Sequence, residues 1–208
     1  MSEKAASWQF AERYQTEPEE IRNARDAAAD WGLASVSPAL GTHLAVLAAA
    51  AGSKNIAEIG TGAGISGLSL LRGAPTAMLT TIEIEPDYWN AAKRAFRLAG
   101  YPGHQTRAIL GDALDVLQRL ADGGYDLTFI DAEPERVSEY VAQALRIVRP
   151  GGLIAVAHAL NGDRVADPVA RDEATTAYRT LLGELSERSA VLSSLVTVDD
   201  GLLTIVRP

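Results

Sequence analysis

The chain has 208 residues, 47% apolar and 22% charged, with 19 Lys and Arg against 27 Asp and Glu and a formal net charge of −8. Such a composition belongs to an ordinary globular chain of about one domain, and the acidic balance argues against a surface that tracks nucleic-acid phosphates. No cysteine is present, which excludes disulfides, Cys-ligated zinc and thiol nucleophiles together.

The first fifty residues read as helices. Residues 5–14, 18–31 and 38–51 carry apolar side chains at helical spacing, and Pro18 and Pro38 suit first-turn positions. Residues 1–20 are polar and acidic, unlike a secretory leader, and no apolar run approaches the roughly 18 residues of a membrane span. A cytoplasmic protein is therefore expected.

From residue 52 onward the pattern alternates. Short apolar runs at 55–59, 77–84, 105–110, 125–130 and 153–157 suit buried strands, and helical stretches at 65–71, 86–99, 113–120 and 135–148 separate them. Alternation of this length predicts right-handed crossovers and a mostly parallel, doubly wound sheet with helices on both faces. Residues 161–173 are polar and read as a loop, either a flap over a site or plain solvated surface. A helix over 173–186 follows. Residues 190–198 and 202–206 then flank Asp199-Asp200-Gly201, a turn that predicts an antiparallel hairpin. The expected whole is one α/β domain over 1–208: N-terminal helices over 1–51, then a seven-stranded core over 52–208.

The first strand runs into Gly60-Thr61-Gly62-Ala63-Gly64-Ile65-Ser66-Gly67, and the second strand ends at Glu83. Glycines suit a turn with unusual backbone angles that a ligand must approach closely. The next helix starts with unpaired N–H groups. A carboxylate at the end of the second strand can accept both hydroxyls of a ribose. Together these point to an adenosine-type ligand at the carboxyl edge of the sheet. Residues 62–67 also fit the nicotinamide-dinucleotide pattern Gly-x-Gly-x-x-Gly, but that match starts too late, because the strand already ends at Gly60.

Glu58-Ile59-Gly60-Thr61-Gly62-Ala63-Gly64 resembles the first motif of class I S-adenosylmethionine-dependent methyltransferases, which have a Rossmann-like fold. Thr81-Ile82-Glu83, Gly111-Asp112-Ala113, Phe129-Ile130-Asp131-Ala132 and Arg149-Pro150-Gly151-Gly152 resemble its later motifs in the same order. The branch that it resembles is the catechol and caffeoyl-CoA O-methyltransferases, through Val36-Ser37-Pro38 with Gly41, Ser66, and Thr81-Ile82-Glu83-Ile84 with Pro86.

This resemblance implies that Val36, Glu58, Gly60, Thr61 and Gly62 shape the S-adenosylmethionine pocket. It further implies Ser66 near the methionine carboxylate, Glu83 on the ribose, Asp112 and Ala113 beside the adenine, and Asp131 near the methionine end. It also implies a small-molecule acceptor and a homodimer paired through the N-terminal helices and the sheet edge.

Metal-dependent members of that branch hold one divalent cation, usually magnesium, with an Asp ending strand four and an Asp-Asn pair ending strand five. Asp131 falls on the first position, but the pair falls on Ala157-His158, and the branch's Lys base falls on Pro134. No metal ligand is assigned, and a divalent cation is not expected. Asp131 and His158 remain the catalytic candidates. His158 reads either as a base or acceptor-orienting group, or as a neutral side chain capping the strand and bonded to backbone. His43 and His104 read as structural or solvated. Trp8, Tyr14 and Trp31 read as packing the core or an interface, or as roofing the acceptor pocket. Glu133 reads as a solvated loop carboxylate or a contact for a cationic acceptor. A cofactor-binding protein without catalysis is the alternative function.

Overall fold

A computed structural model describes residues 3–208; Met1 and Ser2 lie outside the described residues. Three helices come first: α1 (Glu3–Glu12), α2 (Glu19–Asp30) and α3 (Pro38–Ala50). Then β1 (Asn55–Ile59), α4 (Ile65–Gly73), β2 (Met78–Glu83), α5 (Pro86–Leu98), β3 (Thr106–Leu110), α6 (Ala113–Leu117) and β4 (Tyr125–Ile130) alternate. A 3₁₀ turn at Pro134–Arg136 leads into α7 (Val137–Ile147), β5 (Val148–Val156), α8 (Glu173–Glu187), β6 (Leu192–Val196) and β7 (Leu202–Val206). Among the described residues no helix is long and apolar enough to cross a membrane.

The seven strands form one sheet in the order β3-β2-β1-β4-β5-β7-β6. Strands β1 to β5 pair in parallel, and β7 joins β5 and β6 antiparallel. This is the doubly wound, Rossmann-like sheet with a terminal hairpin that the sequence predicts. The chain order reverses between β1 and β4. There the connections leave on opposite faces, and a crevice opens beyond the carboxyl ends of the strands.

Alternation along the strands divides the core in two. Ile56, Leu79, Leu127 and Phe129 face α2 to α5, while Ala57, Ile59, Ile82 and Ile130 face α6 to α8. Both faces are covered, so the parallel strands are buried. The same alternation and register set Glu58 and Thr81 side by side on the α2–α5 face.

Several boundaries differ from the sequence reading. Strand β5 begins at Val148, before the Arg149-Pro150-Gly151-Gly152 stretch read as a turn. Gly151 and Gly152 exchange backbone bonds of 2.9 Å with Arg207, so the C-terminal segment extends the strand. The β4–β5 register shifts between Tyr125 and Leu127, which accommodates Pro150, a residue without an N–H. Helix α6 stops at Leu117, short of the expected 120. The N-terminal aromatics do not pack the core: Trp8, Tyr14 and Trp31 are exposed, and Trp31 stacks on Tyr88 at 5.8 Å.

The polar stretch after β5 is tied to α8. Arg179 donates to the carbonyls of Val165 (3.0 Å), Ala170 (2.6 Å), Arg164 (2.8 Å) and Asp167, and Arg164 Nε reaches Asp172 at 2.9 Å. Of the two readings of this loop, these bonds favour pinned surface over a flap.

Candidate active site

A cleft of about 390 Å³ opens at the carboxyl ends of β1 to β4. Its walls come from the β1–α4 loop (Gly60, Thr61, Gly62), the end of β2 (Glu83), the start of α6 (Asp112, Ala113), the end of β4 (Asp131) and the segment before α3 (Val36). Ser66, in the first turn of α4, also lines it. Nine of the eleven residues singled out from the sequence thus line one cavity directly, besides Glu58 beneath it and His158 beside it.

Gly60 shows why its position must lack a side chain. Its φ is +86°, and an added Cβ would lie 1.8 Å from the Asp131 carbonyl oxygen. The β1–α4 loop therefore passes against the end of β4 with no room between. Gly64, at φ +89°, is the N-cap of α4, whose first residues Ile65 and Ser66 line the cleft.

Glu83 already has four donors. Its Oε2 accepts the N–H groups of Thr61 (3.1 Å) and Gly62 (2.8 Å), and its Oε1 those of Ile84 (2.9 Å) and Glu85 (3.0 Å). The carboxylate thereby ties the glycine loop to the end of β2.

Glu58 is fully buried, and its Oε2 accepts from the Thr81 hydroxyl at 2.6 Å, which sits 2.5 Å from the Thr61 hydroxyl. Its Oε1 has no hydrogen-bond partner. Burial pushes its carboxyl up to about 8, against the pull of the Thr81 and Ser66 hydroxyls and with a push from Asp131 and Glu83.

On the far side, the Asp112 carboxylate caps α6 by accepting the Leu114 N–H at 2.8 Å and pairs with Arg136 at 2.7 Å. The Arg136 bond holds Asp112 below the usual carboxylate range, with the two capping amides adding to the effect. Glu133 accepts the Tyr140 hydroxyl at 2.6 Å.

Just past the end of β5, His158 faces two carboxylates. Its Nε2 lies 3.3 Å from Asp131 Oδ1 and its Nδ1 3.5 Å from Asp200 Oδ2. The hydrogen bond to Asp131 raises its pKa to about 9 despite burial, helped by the charges of Asp131, Asp199 and Asp200. The raised pKa favours the charged ring at neutral pH. Carboxylates facing both ring nitrogens suit a donor at each rather than a neutral ring bonded to backbone. His43 is half-buried on α3, where burial lowers its pKa, and His104 is exposed before β3; neither lines the cleft.

The geometry also adds residues that the sequence reading passed over. Tyr88, Arg136 and Tyr140 line the cleft, and Asp200 was read only as a turn residue. Nothing in the local sequence marks them, since each reaches the site through strand order or helix packing.

The sequence profile of the O-methyltransferase family matches residues 12–208. The chain belongs to that family. This methyltransferase is 44% identical over 201 residues to a Mycobacterium tuberculosis H37Rv protein provisionally named as an O-methyltransferase, covering 96% of this chain and 90% of the relative. A similarly named Mycobacterium ulcerans protein is 46% identical over 188 residues, 90% of this chain and 84% of the relative. Among solved structures, the O-methyltransferase TomG of Streptomyces achromogenes, involved in tomaymycin synthesis and crystallised with S-adenosylmethionine, matches with a TM-score of 0.87 at 29% identity. That match covers 100% of this chain and 99% of TomG. A Corynebacterium glutamicum protein matches with a TM-score of 0.89 at 30% identity, covering 98% and 97% of the two chains. The methyltransferase is therefore an S-adenosylmethionine-dependent enzyme by family.

Proposed function

We propose that this enzyme moves the methyl group of S-adenosylmethionine to a hydroxyl of a small-molecule acceptor, with the cofactor in the cleft at the ends of β1 to β4. The observation that carries this reading is the convergence of Val36, Gly60, Thr61, Gly62, Ser66, Glu83, Asp112, Ala113 and Asp131 on one cavity. The cofactor supplies a methyl group on a positively charged sulfur, so the protein's task is to orient it and keep an unprotonated oxygen in line.

Each residue has a role that follows from its surroundings. Glu83 is the ribose contact, and since its four acceptor positions are taken by amides, ribose hydroxyls enter by sharing or replacing those of Thr61 and Gly62. Asp112 and Ala113, at the start of α6, border the adenine. Ser66 and the free N–H groups at the start of α4 suit a carboxylate. Glu58 shapes the floor beneath Thr61, to which it is linked through the Thr81 hydroxyl. Asp131 lies at the methionine end, where its negative charge suits the cofactor's cationic groups. His158, bonded to Asp131, stands at the acceptor side. An imidazolium there favours the ionised form of an acceptor hydroxyl, in the way any nearby cation lowers an acid's pKa; the hydroxyl proton passes to solvent, and the cofactor leaves as S-adenosylhomocysteine.

A homodimer is supported by the aromatic surface of α1 and the loop after it, where Trp8, Phe10 and Tyr14 are exposed.

Calorimetric titration with S-adenosylhomocysteine tests the pocket directly. One site per chain, weakened at least tenfold in Glu83→Ala, is expected. No binding to the wild type would overturn the proposal. S-adenosylhomocysteine release across a panel of hydroxylated aromatics then tests catalysis; binding without turnover on any of them would favour the non-catalytic alternative.

A further inference from the structure

The ends of β4 and β5 carry side chains that do not suit the hard cation of the metal-dependent branch. Such a cation is surrounded by oxygen ligands, and the protein must supply at least one or two carboxylates free to turn toward it, water filling the rest. Here Ala157 presents a buried methyl group where an oxygen would be needed. The three carboxylates nearby are each turned elsewhere. Asp131 Oδ1 faces His158; Asp200 faces His158 through Oδ2 and accepts the Gly162 N–H through Oδ1 at 2.7 Å; Asp199 accepts the Ser37 N–H at 2.8 Å. Among the described residues no group of three or more His, Cys, Asp or Glu side chains is arranged to hold a metal ion.

His158 itself is in an unusual backbone state, with φ at +55°. A non-glycine residue there is strained and persists only where neighbours impose it. The β6–β7 turn is that neighbour. Asp199 has φ +53° and Gly201 φ +90°, and the turn's carbonyls at Asp200 and Gly201 accept the N–H groups of Leu160 (2.9 Å) and Ala159 (3.0 Å). The hairpin thus grips the two residues that follow His158, and the Asp200 side chain reaches the ring. With carboxylates at both nitrogens, the ring matches its surroundings only as a donor at each.

We infer that Asp200 is a positioning residue that holds the His158 ring against Asp131, so that the ring fills the gap between the ends of β4 and β5 and this enzyme has no divalent-cation site at the acceptor end. This rests on the placement of the acceptor side given above, and extends it by naming the group that stands in the cation's place and the residue that keeps it there.

The test is the electron paramagnetic resonance of Mn²⁺ titrated into protein saturated with S-adenosylhomocysteine, together with the ring N–H resonances of His158 by NMR. Wild type should leave the free-ion signal unchanged. The double variant Ala157→Asp, His158→Asn, which supplies an Asp-Asn pair beside Asp131, should take up one Mn²⁺ at least tenfold more tightly. In wild type the Nδ1–H proton should be protected from exchange, lost in Asp200→Ala and restored in Asp200→Asn, whose amide oxygen accepts from the same place. One equivalent of Mn²⁺ bound by wild type and lost in Asp131→Ala would overturn the inference. So would a double variant, folded and with wild-type S-adenosylhomocysteine affinity, that binds Mn²⁺ no better than wild type. A protected ring proton in Asp200→Ala would remove Asp200's role. Failure to bind S-adenosylhomocysteine counts against the proposed function instead, and the manganese titration is then read on the protein alone.

Discussion

Replacing Glu58 by Gln isolates what it costs to bury an acid in the floor of the cleft. Glu58 has no exposed surface, and burial pushes its carboxyl from 4.5 to about 8. Folding therefore favours the protonated form. With the folded value above the unfolded one, the group's full contribution is present below pH 4.5 and is lost as pH rises through about 8. The difference of 3.5 units between those values corresponds to roughly 5 kcal/mol across the whole window, at about 1.4 kcal/mol per unit, and about 3 kcal/mol of it is lost by pH 7. A Gln side chain keeps an oxygen for the Thr81 hydroxyl and carries no proton to lose.

The stability difference between Glu58→Gln and wild type should thus grow in favour of the variant by about 1.4 kcal/mol per pH unit between about pH 5 and 8. Urea unfolding at half-unit intervals measures it, and other titrating groups cancel in the difference. A constant offset from repacking shifts both ends equally, so the slope carries the information. In thermal unfolding, 3 kcal/mol is roughly 6–12 °C for a chain of this size. Parallel curves for the two proteins would show that Glu58 is ionised in the folded state and refute the reasoning.

Gly60→Ala would place a Cβ 1.8 Å from a backbone oxygen at φ +86°; the end of β4 must shift, and S-adenosylhomocysteine affinity should fall at least tenfold by calorimetry. Glu83→Gln turns an amide NH₂ toward two of the four N–H groups now bonded there, so a loss of roughly 2 kcal/mol in stability and faster hydrogen exchange at Thr61 and Gly62 are expected. ¹⁵N NMR should find the His158 ring doubly protonated up to about pH 9, with its titration moved toward 6.5 in Asp131→Asn. Because its folded value is raised, its stabilising effect is complete below 6.5 and fades as pH rises through about 9. Asp112→Ala removes the α6 cap, for a loss of about 1 kcal/mol in chemical denaturation; its ion pair with Arg136 is partly exposed and adds little.

Much of the fold was legible because its signals are local. The strands 55–59, 125–130 and 202–206 coincide with β1, β4 and β7, since each is a compact apolar run bounded by turn residues. Asp199-Asp200-Gly201 announced the hairpin because left-handed φ values favour those residue types. The glycine loop and Glu83 stood out because a tight turn restricts residue type and the carboxylate ends the next strand at a fixed spacing from it. The start of β5 was not legible, since the pairing that carries it back comes from Tyr125 of β4 at Val148 and from Arg207 at Gly151 and Gly152, all distant in sequence. Trp31 reads as packing or as a roof of the acceptor pocket, and its stack on Tyr88 of another helix shows only in the structure, since helical spacing alone does not say which faces meet.

The acceptor side divides along the same line. Short-range patterns, readable within a few residues, were enough to mark Gly60, Glu83, Asp131 and His158 and to assign the family's chemistry. They left the protonation of Glu58 open, because that depends on how completely the sheet and α4 exclude water from it. They also left His158 without partners. Asp131 and Asp200 meet its ring only because β4, β5 and β7 are neighbours in the sheet, and strand order is a property of the whole packed chain rather than of any segment in it.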